Sequence, residues 1–598
     1  LFVALIDFHG FKVGFVKYWW RYALRADIHL GRRLCNIHKY RHFFVPILDK
    51  LQKSKTKYAK TGNPQEKGQK CLPRKRMGEN IQKRQLGKCE PIPKFADEKH
   101  QCGILPRPNP ILEAHVNENR TPFEPAARTY TFLLLALLLL SACHGPKAVV
   151  QRPLPEKQAQ HDTLPKPPLA KLEKPAAPPS APVQGGQELL LAVSTSPIFG
   201  QGFTGFLLYD PSTHQTLCDF NSDKHFTPAS TTKILTLYTA LSVLGDSMPA
   251  IKYIEKGNSI YFKGTGDPSF LHPYIETPNA LSGFLEKNRS KNWLYHPYDF
   301  KDARYGSGWA WDDYPYYFQP EKSGFPIHSN VVAFEHSRNG QWNVFPNLFK
   351  NMLRPSPEKE ANLLRRKEQE NIFYYNKNDI KNTYLERKLP AILTDALFLS
   401  VLKEVTGVSA SLAPDAPWER QLEKTVYSMP VDSVYRQLML PSDNFVAEQL
   451  MLVCSEQLFG EQSVERAINW SKENLLAACP TPIKWVDGSG LSRYNLLTPR
   501  ALVFALEGIL QKTSFERVRN LFPIGGQSGT IADWYGNSPP FVFAKSGTLS
   551  GVHCLSGYLI TKSGKILIFS FMHNNYLGPS KQYKQEMDKI LRMARSRY

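Results

Sequence analysis

From residue 203 onward the apolar and polar positions fall into patterns that predict a mixture of strands and helices. Phe203–Asp210 and Gln215–Phe220 are short apolar stretches separated by Pro211, Ser212, Thr213 and His214, and predict a β-hairpin. Apolar residues at 234, 235, 237, 238, 241 and 244 recur at helical spacing. Pro228 and Ser230, just upstream, fit the start of that helix. Residues 251–263 read as strand, 389–407 as a helix closing at Gly407, and 434–459 as helical segments around Pro441-Ser442-Asp443-Asn444. Three strands follow at 541–544, Val552–Ile560 and 565–573, the last two joined at Lys562-Ser563-Gly564. Residues 581–595 predict a C-terminal helix, and the charged stretch 350–370 predicts a solvent-exposed segment. No internal repeat is visible.

This patterning is poor across 51–128. Residues 1–128 hold 26 Lys+Arg against 11 Asp+Glu, so +15 of the +22 net charge sits in the first fifth of the 598-residue chain. Basic blocks at 50–60 and 73–88 have the composition to attract nucleic acid. No methionine precedes Met77, however, and the chain opens on Leu1. Residues 1–128 are therefore expected to be an over-extended reading frame or a disordered basic region, and no nucleic-acid partner is expected.

After Arg128 the apolar run 130–140 ends in Ser141-Ala142-Cys143, which describes a secretory signal over 129–143. Leu140-Ser141-Ala142-Cys143 resembles the bacterial lipobox, whose cysteine becomes the lipidated start of the mature chain. Residues 144–187 hold 10 prolines in 44 positions and read as an extended tether. The order is lipid, tether, globular body, so the body is expected outside the cytoplasm, on the periplasmic face of the cell envelope. The 11-residue apolar run is too short to span a bilayer, which excludes a multi-span membrane protein. The length suggests about three to five domains, and 42% hydrophobic residues exclude a wholly disordered chain. Nine cysteines do not make a disulfide scaffold, although Cys218, Cys454, Cys479 and Cys554 could pair.

Three short elements in order carry candidate chemistry: Ser230-x-x-Lys233, Ser442-Asp443-Asn444 and Lys545-Ser546-Gly547-Thr548. This set is associated with penicillin-binding proteins and serine β-lactamases. A serine hydroxyl is a weak nucleophile until a base takes its proton. A lysine one helical turn away can do so when neutral, which requires desolvation or a neighbouring positive charge. Lys545 could supply that charge and attract a substrate carboxylate. Ser442 could relay a proton, and Asn444 offers an amide both to Lys233 and to a substrate peptide group. Singly the pieces are common: Ser-x-x-Lys recurs at Ser54, Ser356 and Ser400, and Lys-Ser-Gly at Lys322 and Lys562. The ordered triple, each piece in a fitting context, is specific.

Over about 188–598 the chain resembles the D-alanyl-D-alanine carboxypeptidase/endopeptidase family of the penicillin-binding protein 4 type. The resemblance rests on 227–233, Gly264-Thr265-Gly266-Asp267-Pro268, Gly308-Trp309-Ala310-Trp311-Asp312-Asp313, 442–448, 487–493 and 544–549. It implies an α/β (α+β) transpeptidase-like domain, a five-stranded antiparallel sheet flanked by helices, formed here by 188–247 and 426–598. It also implies one or two inserted domains, here 248–425, which suits the 209 positions between Lys233 and Ser442. By the same resemblance Ser230 is the acylated nucleophile and Lys233 its base. Ser442 and Asn444 assist proton transfer and bind substrate. Lys545, Ser546 and Thr548 bind the terminal carboxylate, and the main-chain N–H groups of Ser230 and Thr548 hold the oxyanion. Asp313 and Phe318 become candidates for the pocket that receives the diamino acid side chain. Asp443 and the 487–493 box fit bracing roles as well as direct ones. The implied partners are peptidoglycan stem peptides, with β-lactam antibiotics as inhibitors, and no metal or cofactor is required. A serine β-lactamase is an alternative disfavoured by the long insert. A non-catalytic, lipid-anchored wall-binding protein on the same fold is disfavoured by retention of Ser230, Lys233, Ser442, Asn444 and Lys545.

Overall fold

The structure, a computed structural model, describes residues 186–598 apart from 298, 357–363, 379, 381 and 382. The basic region 1–128, the signal segment 129–143 with Cys143, and the proline-rich stretch to 185 lie outside the described residues. Residues 186 and 187, read as tether, already belong to a helix, Gly186–Ser194.

The central sheet is built from β1 (Phe203–Asp210), β2 (Gln215–Phe220), β3 (Val542–Leu549), β4 (Val552–Ile560) and β5 (Ile566–Asn574). Its order is β3-β4-β5-β1-β2, and each neighbouring pair is antiparallel. The expected hairpin is found with the expected bounds. Side chains alternate across the sheet, as a period of two requires. Leu207, Phe543, Cys554, Tyr558, Ile568 and Met572 pack on one face against Ile234, Leu237, Leu450 and Leu506. Phe206, Leu208, Val542, Leu555, Phe569 and Phe571 pack on the other against Leu189, Val193, Met587 and Leu591. Phe206 and Phe571 stack with ring centroids 4.0 Å apart. Burying such a side chain contributes about 2 kcal/mol. With both faces covered, the strands read as nearly unbroken apolar runs, which is why they were legible.

Two helices in the first of these cores are buried on nearly every side. Lys233–Val243 has Lys233 through Ala240 buried, and Asn444–Phe459 has Phe445 through Glu456 buried. A helix enclosed in this way is held rigidly by its neighbours. These are the helices that carry the first two motifs.

The segment between them forms its own core around Phe262, Trp293, Phe325, Phe334, Phe373 and Phe398. It contains a second five-stranded sheet in which Ser247–Lys256 pairs antiparallel with Lys424–Pro430. The chain therefore leaves and re-enters the region of the central sheet through adjacent strands. At the junction the Val431 N–H donates to the Asp246 carbonyl at 3.0 Å. That closure returns Ser442 to the helix of Lys233 although 209 positions separate them.

Two local expectations are corrected. Residues 389–407 are not one helix: Leu385–Pro390 is a strand, and the helix is Asp395–Thr406. Thr394 caps it by accepting from the Leu397 N–H, and Gly407 closes it at φ 73°. The cap, not apolar periodicity, sets the start. Within 350–370, Arg366 is fully buried rather than solvent-exposed and lies 3.4 Å from Glu321. Cys218, Cys454, Cys479 and Cys554 carry free thiols.

Candidate active site

Ser230 sits in a short 3-10 turn, Ala229–Thr232, and the α-helix begins at Lys233. The expectation of a serine in the first α-turn is thus refined. Ala229 has φ 49°, a left-handed conformation for a residue with a Cβ, which costs about 1–3 kcal/mol. Surrounding contacts hold it there. Gly490, at φ 83°, lies so close that a Cβ would collide with the Ala229 carbonyl. On the other side Gly547 of β3 meets the turn, where a Cβ would stand 2.6 Å from the Pro228 oxygen and 2.9 Å from the Ser230 nitrogen. The glycine of the third motif is what lets the strand touch the turn that bears Ser230.

Lys233 is completely buried. Its Nζ lies 3.1 Å from Ser230 Oγ, 2.6 Å from Asn444 Oδ1 and 2.6 Å from the Ser489 carbonyl oxygen. Burial pushes its ammonium down to about 8, against the pull of Asp487, Asp443 and Glu448. When the amine is neutral, its two N–H bonds are claimed by the amide and carbonyl oxygens, neither of which can donate. The lone pair is left for the one partner with a proton to give, Ser230.

The three carboxylates are themselves fixed. Asp487 accepts from Trp309 Nε1 at 2.8 Å, the Gly490 N–H at 2.9 Å, the Ser492 N–H at 2.7 Å and Asn495 Nδ2 at 2.6 Å. Trp309 of the insert thus braces the box at 487–493, while Trp311 projects into solvent. Asp443 caps the helix of Asn444 by accepting from the Val446 N–H at 3.0 Å. Burial opposes its ionisation, but His272, Gln437 and that N–H together hold it below the usual carboxylate range. Glu448 accepts from the Ser489 N–H at 2.7 Å, and burial, with Asp487 nearby, pushes its carboxyl upward. Glu448 was missed as a functional residue, yet it lies one helical turn beyond Asn444, a spacing that could have pointed to it.

Asn444 is held from both ends: its Oδ1 meets Lys233, and its Nδ2 donates to the Phe318 carbonyl at 3.0 Å. Phe318 therefore reaches the site through its backbone. Asp313 lies in the 3-10 turn Trp311–Asp313. Burial and Asp312 push its carboxyl up, and Arg493 opposes them. Ser442, at φ 68°, lines one cavity with Ser230, Ser546 and Thr548.

Lys545 is completely buried, and its Nζ donates to the Ser546 carbonyl at 2.7 Å. Burial, reinforced by the charge of Lys233, pushes it well below the usual lysine range. The expectation that a neighbouring charge primes Lys233 is corrected in emphasis: burial leads for both lysines, and the repulsion is felt at Lys545. An arriving carboxylate would favour protonated Lys545. Ser546 Oγ donates to Thr530 Oγ1 at 2.6 Å, and Thr548 Oγ1 lies 3.0 Å from His553 Nδ1. Of the other copies of the short motifs, Ser54 lies outside the described residues, and three of the rest are otherwise employed. Ser400 bonds its own helix at the Ala396 carbonyl, Lys322 pairs with Asp302 at 2.9 Å, and Lys562 lies in the turn after β4.

Comparison with known proteins gives a consistent result. The chain matches the D-Ala-D-Ala carboxypeptidase 3 (S13) family over residues 187–345 and 388–596, more than half its length. It is 24% identical over 442 residues to D-alanyl-D-alanine carboxypeptidase DacB of Haemophilus influenzae, covering 66% of this chain and 90% of that one. It is 22% identical over 449 residues to penicillin-sensitive carboxypeptidase A of Dictyostelium discoideum, covering 64% and 85%. The crystal structure of penicillin binding protein 4 from Haemophilus influenzae superposes with a TM-score of 0.54 at 21% identity, covering 69% of this chain and 98% of that one. At that identity the superposition establishes the fold.

Proposed function

The chain belongs to the D-Ala-D-Ala carboxypeptidase 3 (S13) family and is a D-Ala-D-Ala carboxypeptidase of the penicillin-binding protein 4 type, and on that premise we propose that it cleaves peptidoglycan stem peptides through an acyl-enzyme on Ser230. The observation that carries the reading is the arrangement around Lys233, where two pure acceptors orient the amine so that its lone pair faces Ser230. Ser230 Oγ attacks the carbonyl of the penultimate D-alanine, and its proton passes to Lys233. The main-chain N–H groups of Ser230 and Thr548 receive the oxyanion. The carbon–nitrogen bond then breaks, and the leaving amine takes a proton from Lys233 by way of Ser442. Water releases the acyl group from Ser230 in a second cycle with the same base.

Lys545, Ser546 and Thr548 anchor the terminal carboxylate. Asn444 aligns the substrate backbone, with Asp313 and Phe318 bordering the acyl-side pocket. The same chemistry opens a D-alanyl cross-link to a second stem, so endopeptidase action belongs to the proposal. β-Lactams, which carry a carboxylate and a strained amide, are its inhibitors. Cys143 is proposed as the lipid attachment that holds the enzyme at the periplasmic face of the envelope.

Ser230→Ala tests the assignment. A folded variant without turnover of a D-Ala-D-Ala peptide is the expected result. Unchanged turnover in a folded variant would remove Ser230 as the nucleophile.

A further inference from the structure

The cavity at Ser230 continues beyond the residues so far given a role. It has a volume of about 230 Å³, more than one terminal methyl side chain fills. Besides Ser546 and Thr548, its lining includes Ile531, Trp534, Tyr535, His553 and Lys584. Lys584 comes from the C-terminal helix, Lys581–Arg597, which covers the opposite face of the sheet from the helix of Lys233. Among the described residues no carboxylate lines the cavity, and Lys584 is the one lysine or arginine that does.

Lys584 Nζ stands 4.9 Å from the centre of the Trp534 ring. Among the described residues its side chain has no hydrogen bond or ion pair within 4 Å. Asp533, which is exposed, acts on it from a distance. Burial lowers its affinity for a proton, as for a cation drawn from water without a partner. A half-buried ammonium over an aromatic face, open to a cavity of hydroxyls, is suited to an incoming anion. A second unpaired group lies in the same wall: His553 is almost completely buried, and its Nε2 has no hydrogen-bond partner. Burial and the charge of Lys584 push the imidazole down to about 3, so it is neutral. A neutral ring that donates from Nδ1 to Thr548 Oγ1 leaves the threonine O–H free for the carboxylate at Lys545.

We propose that Lys584, set over Trp534, forms a leaving-group subsite that takes a second anion, the side-chain carboxylate of the D-amino acid expelled when Ser230 is acylated. The subsite rests on the peptidase reading above and specifies its substrate. Besides D-alanine, the site then accepts a larger leaving residue that carries a carboxylate in addition to its terminal one. Lys545 with Thr548 receives the terminal group, and Lys584 receives the other. Neither Asp313 nor Phe318 lines this cavity.

The test compares two acyl-D-alanyl peptides whose leaving residue is D-glutamate or D-glutamine, equal in size and different in charge. With the full chain, kcat/KM is expected to favour D-glutamate by about tenfold, the scale of one charge-assisted contact. Lys584→Met is expected to bring the ratio near one, and Lys584→Arg to keep most of the preference. A ratio unchanged in Lys584→Met would overturn the subsite, as would a wild-type enzyme indifferent to the charge. Because the ratio is internal to each variant, a general loss of active protein cancels. Lys584→Gln serves in the same comparison where the methionine variant does not fold. Absence of wild-type turnover on a D-Ala-D-Ala peptide would instead overturn the peptidase reading, and the subsite with it.

Discussion

Lys233 is surrounded by opposed influences that can be separated. Burial favours its neutral form, and three carboxylates favour the charged one. In the proposed mechanism the neutral amine is the base, so acylation by a penicillin should be slow at low pH. The rate should rise about tenfold per pH unit and level off above about 8, where Lys233 has lost its proton. Glu448 is one of the three carboxylates, and it also accepts from the Ser489 peptide whose carbonyl binds Lys233. Glu448→Gln keeps an oxygen to accept that bond and removes the charge. Without the negative charge Lys233 gives up its proton more readily, so the plateau should be reached at lower pH. Acylation rates measured across pH for both proteins check this. An unmoved midpoint would show that Glu448 does not act on Lys233.

At the scale of elements the site depends on one strand meeting one turn. Gly547 is the point of contact. Gly547→Ala should push β3 away from the Ser230 turn, destabilise the protein by about 1–3 kcal/mol and slow acylation roughly a hundredfold, the usual effect of a small misplacement. Thermal unfolding and acylation rates check both parts, and a folded variant acylating at the wild-type rate would show that the close approach is unnecessary. The strand and its glycine were legible because a buried apolar run leads directly into Lys545. The helix at 395–406 was misjudged at its start because apolar spacing continues back through a strand, and only the Thr394 cap separates the two. Arg366 was misjudged because a charged stretch reads as exposed, whereas its partner Glu321 comes from a distant segment. Glu448 announced itself weakly, by helical spacing. Lys584 and Trp534 gave no signal, because they meet only when the C-terminal helix folds over the sheet.

For the whole molecule, the insert explains how an ordered set of motifs becomes one site. Its ends are adjacent strands, so its length costs the catalytic region little in geometry. It also contributes directly: Trp309 fixes Asp487, and the Phe318 carbonyl fixes Asn444. The Lys233 amine is thus positioned by both regions, and the two helices carrying the first motifs are buried so fully that they cannot drift. In the proposed mechanism this assembly delivers Ser230 as a nucleophile. The intact mass of the full chain, followed over time after exposure to benzylpenicillin, tests it most directly. The expected result is a long-lived adduct of one drug molecule that maps to Ser230. A folded protein that forms no adduct, or carries it on another residue, would contradict the claim, and an adduct lost within seconds with hydrolysed drug released would mark a β-lactamase instead.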